Sequence, residues 1–394
     1  MTKKLLIMAL TGFCSTAAFA ANLYVRNAGA GGAYSTVGAA ISAASDGDRI
    51  IIQPKTNGSA YVENLTINKS LTFVSETIYN KYLIQGNITI SPAVGRVVTI
   101  TNLSVVNNVN YGLTVSGPTS GGRTTVNIYN SLLNKVTTSQ LNTTTNMSGC
   151  TVLGGIAFSH GRMTSNKAQD ISVYSIAADT SMATSDVEVY GNAVDYIISN
   201  YQPNYNFKFY NNFCAHIMIN GIKNGSSNEI INNTLYSPDP GDIAPFYISL
   251  NGSNSITGNI NIMNNAASFV VGGTNACIQN ASSNAIITAS YNLFTNPFVT
   301  QGTMTQSNNS GSVNMNFNNT TYTLTGMNVN AGSPDLNFTD LDLSRNDAGH
   351  YGGSNSWANY WPADSGGKPQ VNYLLTPRTI NGGTLNINAS GFSK

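Results

Sequence analysis

Charge is what this sequence has least of. Asp, Glu, Lys and Arg make up 9% of its 394 residues, against about 25% in an ordinary globular chain. Between Ile243 and Pro334 there is no acid, base or histidine at all, so any acid–base chemistry must lie before or after that stretch. No basic cluster exists that could hold nucleic acid or anionic lipid. Cysteine is equally scarce. Beyond Cys14 near the start there are only Cys150, Cys214 and Cys277, an odd and widely spaced set that makes a poor disulfide framework and reads as small buried core residues. No apolar run reaches the roughly 20 residues that a membrane-spanning helix needs.

The first twenty residues have the composition of an export leader. Lys3 and Lys4 give a charged start, Leu5 to Leu10 an apolar centre, and Ala18-Phe19-Ala20 a small-x-small cleavage site before Ala21. Cys14 lacks the small residues that a lipid-attachment site wants. The expectation is a secreted or extracellular protein, with periplasm or cell surface as variants. Removing Lys3 and Lys4 leaves 16 basic against 17 acidic residues, a net charge of −1.

What the chain has in abundance is asparagine, 55 residues in all, together with 41% hydrophobic residues in short alternating runs. A polar, uncharged composition alone would suggest disorder, but the alternation argues for strands. Asparagine also tolerates the left-handed backbone of tight turns, and stacked asparagines can share amide hydrogen bonds. A phrase of the form apolar-x-apolar-x-Asn recurs from Val98 through Val126, Val187, Phe207 and Asn228, the clearest adjacent copies about 20 residues apart. That is the period of a solenoid coil, which can bury its apolar face only by stacking on the next.

The stretch Tyr34 to Ser75 starts the stack. Val37, Ala40, Ile41 and Ala44 fall at helical spacing, Ser45-Asp46-Gly47-Asp48 stops the helix, and apolar runs follow at Ile50–Ile52, Leu65–Ile67 and Leu71–Val74. Asp46-Gly47-Asp48, Pro54, Tyr61-Val62-Glu63-Asn64 and Lys69-Ser70-Leu71 match the phrase DGDTIxIxPGTYxENxxIxKSLTLxG. On these residues the chain resembles right-handed parallel β-helix proteins of the pectin-lyase-like superfamily. Asn330 to Gly353 similarly resembles the last-coil phrase of secreted bacterial β-helix proteins, with Leu343 and His350 replacing the usual glycine and alanine. The resemblance implies an all-β, single-stranded, right-handed parallel β-helix with an N-terminal capping helix and a C-terminal β cap. The expected organisation is a leader at 1–20, the β-helix at 21–353 and a cap or small β tail at 354–394. Loops are expected at Val115–Arg123, Ala178–Ser185, Asn200–Asn206 and Tyr236–Pro245, the last because Ser237-Pro-Asp-Pro-Gly241 makes poor central strand.

Such folds host polysaccharide lyases, hydrolases and esterases, yet their motifs are missing. His160-Gly161 resembles the HG element of polygalacturonases, but the paired carboxylates that a hydrolase needs do not precede it. The LGRPW-like phrase of pectin esterases is absent. The nearest approach to a lyase site is His160, Arg162, Lys167 and Asp170, whose alternative reading is exposed loop charge. Asp335, Asp340, Asp342 and Asp347 form the candidate metal site, for calcium, because Asp340-x-Asp342-x-Ser344 alternates hard oxygen ligands. Its alternative is a capping turn whose carboxylates bond backbone amides and pair with Arg345. No other cofactor is expected.

Aligning the repeats turns Val187, Val189, Phe207, Phe209 and Ile230 inward. Glu188, Lys208 and Glu229 then form an outward charge ladder. Tyr129, Tyr174, Tyr190 and Tyr210 form an outward aromatic row, a candidate platform for sugar rings or else a shelf covered by the chain's own loops. Three functions follow. The leading one is an exported, non-catalytic protein that binds a polysaccharide or cell-surface glycan. The alternatives are a polysaccharide lyase or glycoside hydrolase with an atypical site, and a structural solenoid that stacks end to end on a second copy.

Overall fold

The computed structural model describes residues 20–77, 80–117, 123–139, 143–174, 186–200, 205–241, 243–250, 256–271, 276–361, 370–375 and 387–392. Residues 1–19 of the leader, the loop expected at 178–185, and residues 118–122 and 201–204 of the loops expected at 115–123 and 200–206 lie outside the described residues. Three sheets of parallel strands run the length of a β-helix. The first has 13 strands, from Asn22–Val25 to Thr305–Ser307. The second has 11, from Leu65–Ile67 to Thr300–Gln301. The third is in two pieces, one of five and one of four strands. Single bridges, Thr151 to Lys167, Lys167 to Ala193 and Ala193 to Phe213, carry it across the gap. One coil visits all three sheets, for example Phe207–Tyr210, Phe213–Cys214 and His216–Ile219. The core is filled by alternate residues, and Val187, Val189, Phe207, Phe209 and Ile230 all point into it, as the alternation predicts. The three cysteines are buried and free.

The start of the stack explains its motif residue by residue. A short helix, Val37–Ala43, buries Val37, Ala40 and Ile41 over the first coils. Thr36 caps it, its hydroxyl accepting from the Ala39 amide. The carboxylate of Glu63 accepts from the amides of Val37 and Gly38, both at 2.8 Å. At the other end the Lys69 ammonium donates to the carbonyls of Ile41, Ser42 and Ala44. An anion at the N-terminus and a cation at the C-terminus both suit the helix dipole. Asp46 receives the Ser70 amide, and Asp48 receives those of Ala21 and Ser45. The charges of this end therefore hold backbone.

Further along, amides take over. The side chains of Asn166, Asn192, Asn212, Asn233, Asn265, Asn292 and Asn309 form a ladder, each Nδ2 donating to the next Oδ1 at 2.9–3.1 Å. The backbone N–H of each asparagine donates to the same oxygen. Each Nδ2 also reaches a strand carbonyl, Met147 O from Asn166 and Val189 O from Asn212 among them. The residue before each rung takes positive φ: Ser165, Gly191, Asn211, Asn232, Asn264, Tyr291 and Asn308. The sequence pair is thus a left-handed corner followed by a ladder asparagine, which is why so much asparagine serves a neutral chain. Every donor and acceptor of the inner rungs is paired, so the buried polar row carries no stranded group.

The chain then turns back. Residues 328–361 run along the outside of the asparagine corner, against the direction of the stack. Asn264 holds Ser333 and Gly349, Asn232 holds Asn346, Asp347 and Gly349, and Asn211 holds His350 and Gly352. Trp361 closes the series, its indole N–H donating to Gly191 O at 2.7 Å. His350 is fully buried, with Nδ1 2.7 Å from the Thr234 hydroxyl and Nε2 2.8 Å from Tyr322 O. Since a carbonyl only accepts, Nε2 carries the proton. Burial holds the ring neutral, its pKa lowered to about 3.

Of the two readings of the tail, cap or small β element, the second describes Gln370–Leu375 and Asn388–Phe392, which pair antiparallel on the flank of the stack, where Tyr373 and Phe392 meet first-sheet residues. One expectation changes. The proline stretch belongs to a strand, Thr234–Gly241, because a register break between Ser237 and Gly241 absorbs the missing donors.

Candidate functional site

The tyrosine row is real but shorter than the repeats suggest, and it is covered. Tyr190 and Tyr210 occupy neighbouring coils, their rings stacked at 5.1 Å and 9°. Tyr129 lies in the same sheet, separated from them by the coils of Ser148 and Thr164. Tyr174 belongs to the second sheet, opposite Asn200, so its place in the row is corrected. Tyr190 is only 3% exposed. The C-terminal strand pair lies over the row: Tyr373 packs 6.4 Å from Tyr190, and Phe392 stacks on Tyr129 at 4.9 Å. The open platform is therefore a shelf for the chain's own tail. Burial and the nearby carboxylates raise the phenol pKa values of Tyr190 and Tyr210, keeping both neutral.

The charge ladder stands in the expected register, Glu188 to Lys208 to Glu229, and gains one member, Arg162 opposite Glu188. Its pairings differ from a simple ladder. Arg162 pairs with Glu188 and lies 3.4 Å from the centre of the Tyr373 ring. Lys208 turns to Asp186 at 2.7 Å. Glu188 and Glu229 accept the hydroxyls of Tyr190 and Tyr210. These groups are committed to one another.

The candidate catalytic segment does not converge. His160 is buried in the first sheet against Thr144 and Tyr205, and Arg162 is engaged as above. Lys167 sits in the third sheet's gap, while Asp170 opens a second-sheet strand and accepts from Ser172.

The aspartate run is likewise taken up by backbone. Asp335 receives the Asn337 amide, Asp342 that of Ser344, and Asp347 that of Asn330. Asp340 receives two, from Gly353 at 2.6 Å and Asp347 at 2.9 Å. Burial, with Asp347 and Asp342 nearby, raises its pKa to about 7. Arg345 donates to Gly332 O and pairs with none of them. Among the described residues no three His, Cys, Asp or Glu side chains gather as a metal site requires. The turn holds together residues 328–361, a strap along the outside of the stack.

Of the four catalytic candidates, Lys167 and Asp170 open onto grooves; Asp170 edges one of about 510 Å³ beside Lys135 and Gln169, and Lys167 opens onto the one richest in titratable and aromatic groups. A cavity of about 550 Å³ lies where the third sheet meets the second. Its floor includes Lys167, Ala193 and Phe213, each the residue after a ladder asparagine and each on a successive coil. The ladder thus sets the spacing of the floor. Asp195, Tyr196 and His216 line one side, with Tyr196 and His216 paired in register and stacked at 5.3 Å. Tyr236, and Tyr322 from the turn that precedes residues 328–361, line the other. The Lys167 ammonium lies 6.0 Å from the Tyr322 ring centre. His216 Nδ1 is 3.3 Å from Ala244 O and so carries the proton, and burial lowers the ring's pKa. A second cavity of about 420 Å³ adjoins the first through Lys167 and is lined by Lys81 and Trp361. Trp361 stacks on Trp357 at 5.0 Å, which packs with Ala193 and Phe213. Trp361 thus walls the second cavity, while Asn319 and Tyr322, ahead of the strap, wall the first.

Asp195, Tyr196, His216, Tyr236 and Tyr322 escaped the sequence reading. They come from four separate stretches of chain, and only the 20-residue step from Tyr196 to His216, one coil, marks two of them as neighbours. Comparison with protein-family models, with curated proteins and with solved structures found no match to this chain.

Proposed function

We propose that this is an exported protein that binds a polysaccharide or cell-surface glycan in the groove at Lys167, on a scaffold akin to the pectin-lyase-like superfamily. The carrying observation is the groove's lining. Tyrosine faces at Tyr196, Tyr236 and Tyr322 stand beside one cation, one carboxylate and one neutral imidazole. Sugar rings offer apolar faces to aromatic rings and hydroxyls to polar groups, and a rigid strand floor loses little entropy on binding. Lys81 and Lys167 along the second cavity suit a chain that carries carboxylate, sulfate or phosphate groups.

The same side chains support a second reading, a depolymerising enzyme. Lys167, Asp195 and the unprotonated Nε2 of His216 are proton-transfer groups in one groove. One experiment separates the two: a panel of neutral and acidic polysaccharides scored for retention in affinity gels and for newly formed chain ends, with Tyr196→Ala as control. Binding expects retention that Tyr196→Ala weakens about tenfold, with no new chain ends. Chain ends formed by the parent and lost in Lys167→Ala would establish the enzyme. No retention and no product would end both readings.

A further inference from the structure

The contact between Ala21 and Asp48 has a meaning that the leader gives it. Ala21 is the residue that follows the Ala18-Phe19-Ala20 cleavage pattern. In the intact chain its amide N–H donates to Asp48 Oδ1 at 2.7 Å, while the other oxygen of Asp48 receives the Ser45 amide at 2.7 Å. Sheet pairing begins at this same residue: Arg49 N donates to Ala21 O at 2.8 Å, and Asn22 pairs with Arg49 in the register that carries Asn22–Val25 along Arg49–Ile52. Asp48 is 7% exposed, and Ala20 and Ala21 are both exposed. A buried carboxylate thus faces the nitrogen at the expected point of cutting.

We propose that the Ala20–Ala21 bond is the processing site, and that the α-ammonium released there forms an ion pair with Asp48 that fastens the first strand of the β-helix. The step is hydrolysis by a leader peptidase. Water adds across the bond between the Ala20 carbonyl carbon and the Ala21 nitrogen, leaving a carboxylate on Ala20 and, at neutral pH, an ammonium on Ala21. One hydrogen bond from a neutral amide becomes a charge-assisted contact to the same oxygen, the stronger kind. The amides of Ala21 and Ser45 already hold Asp48 below the ordinary carboxylate range, so it is charged and ready when the cut is made. Removing the leader then tightens the edge on which the whole stack is laid.

The test compares two forms of the chain, one beginning at Ala21 and one retaining Ala18-Phe19-Ala20, each with Asp48 and with Asp48→Asn. Amide exchange is read in Asn22–Val25, and the first residue of the exported protein is sequenced. With Asp48 present, the strand should exchange about fivefold more slowly in the form that begins at Ala21. That difference should vanish in Asp48→Asn, and the exported protein should begin at Ala21. Equal exchange in the two Asp48 forms, or a different first residue, overturns the proposal. Because the comparison of starts needs no substitution, it stands even should Asp48→Asn fold poorly.

Discussion

The two ends of this β-helix hold their backbone by opposite means. At the N-terminal end, Glu63, Lys69, Asp46 and Asp48 spend full charges on the ends of one short helix and the turns beside it. From Asn166 onward the work passes to neutral amides, a ladder of seven side chains. Apart from Asp48, the charged groups of this end are exposed or part-buried, where water relieves unpaired charge. The ladder is buried, and there an ion would cost far more than an amide. Low charge is therefore what a long polar row inside a solenoid requires. The groove rests on the laddered part, whose floor residues follow Asn166, Asn192 and Asn212 directly.

The largest effect should come from breaking the ladder. Asn212→Leu removes the acceptor of the Asn192 N–H and Nδ2 and one donor to Asn233. With two buried donors stranded, stability should fall by about 4 kcal/mol in chemical denaturation. A loss below 1 kcal/mol would mean that the ladder merely fills space. At the charged end, Lys69→Ala should cost about 1 kcal/mol, and most of that difference should disappear in 1 M salt, whereas the Asn212→Leu loss should not. Equal salt sensitivity would dissolve the contrast.

Smaller still is the effect of uncovering the tyrosine row. Tyr373→Ala removes one ring from Arg162 and Tyr190 and should cost about 1 kcal/mol or less. The pH response should divide likewise. Asp48 has a lowered pKa, so its contribution is present above about pH 4 and is lost as pH falls through its folded value. Asp340 has a raised pKa, about 7, so the strap is favoured when it is protonated and loses that stability as pH rises from about 4 through 7. Amide exchange around Gly353 should quicken across that window, and Asp340→Asn should flatten the trend.

Much of the fold was legible because each coil repeats one physical demand. The runs at Ile50–Ile52 and Leu65–Ile67 became strands Arg49–Ile52 and Leu65–Ile67, and the helix fell where Val37, Ala40 and Ile41 placed it. The asparagines were readable as corner and ladder residues for the same reason. Which sheet a repeat belongs to was not readable, because all three sheets ask for alternating apolar residues. Tyr174 lies in the second sheet although its repeat aligns with those of Tyr190 and Tyr210. The strap was hidden for another reason: Asn232 and Asn346 meet across 114 residues through a reciprocal pair of amide hydrogen bonds, and no local pattern announces it. The groove joins coils from Lys167 to Pro238 with Asn319 and Tyr322, and no local pattern announces that meeting either.

The most direct test of the account is where a glycan is held. Retention in polysaccharide affinity gels should be compared for the parent, a Tyr196→Ala and Tyr322→Ala double variant of the groove, and Tyr373→Ala, which opens the tyrosine row. The account predicts that the groove variant loses retention at least tenfold while its melting curve stays cooperative, and that Tyr373→Ala binds as the parent does. Full retention by the groove variant, or a gain in retention on uncovering the row, would contradict it.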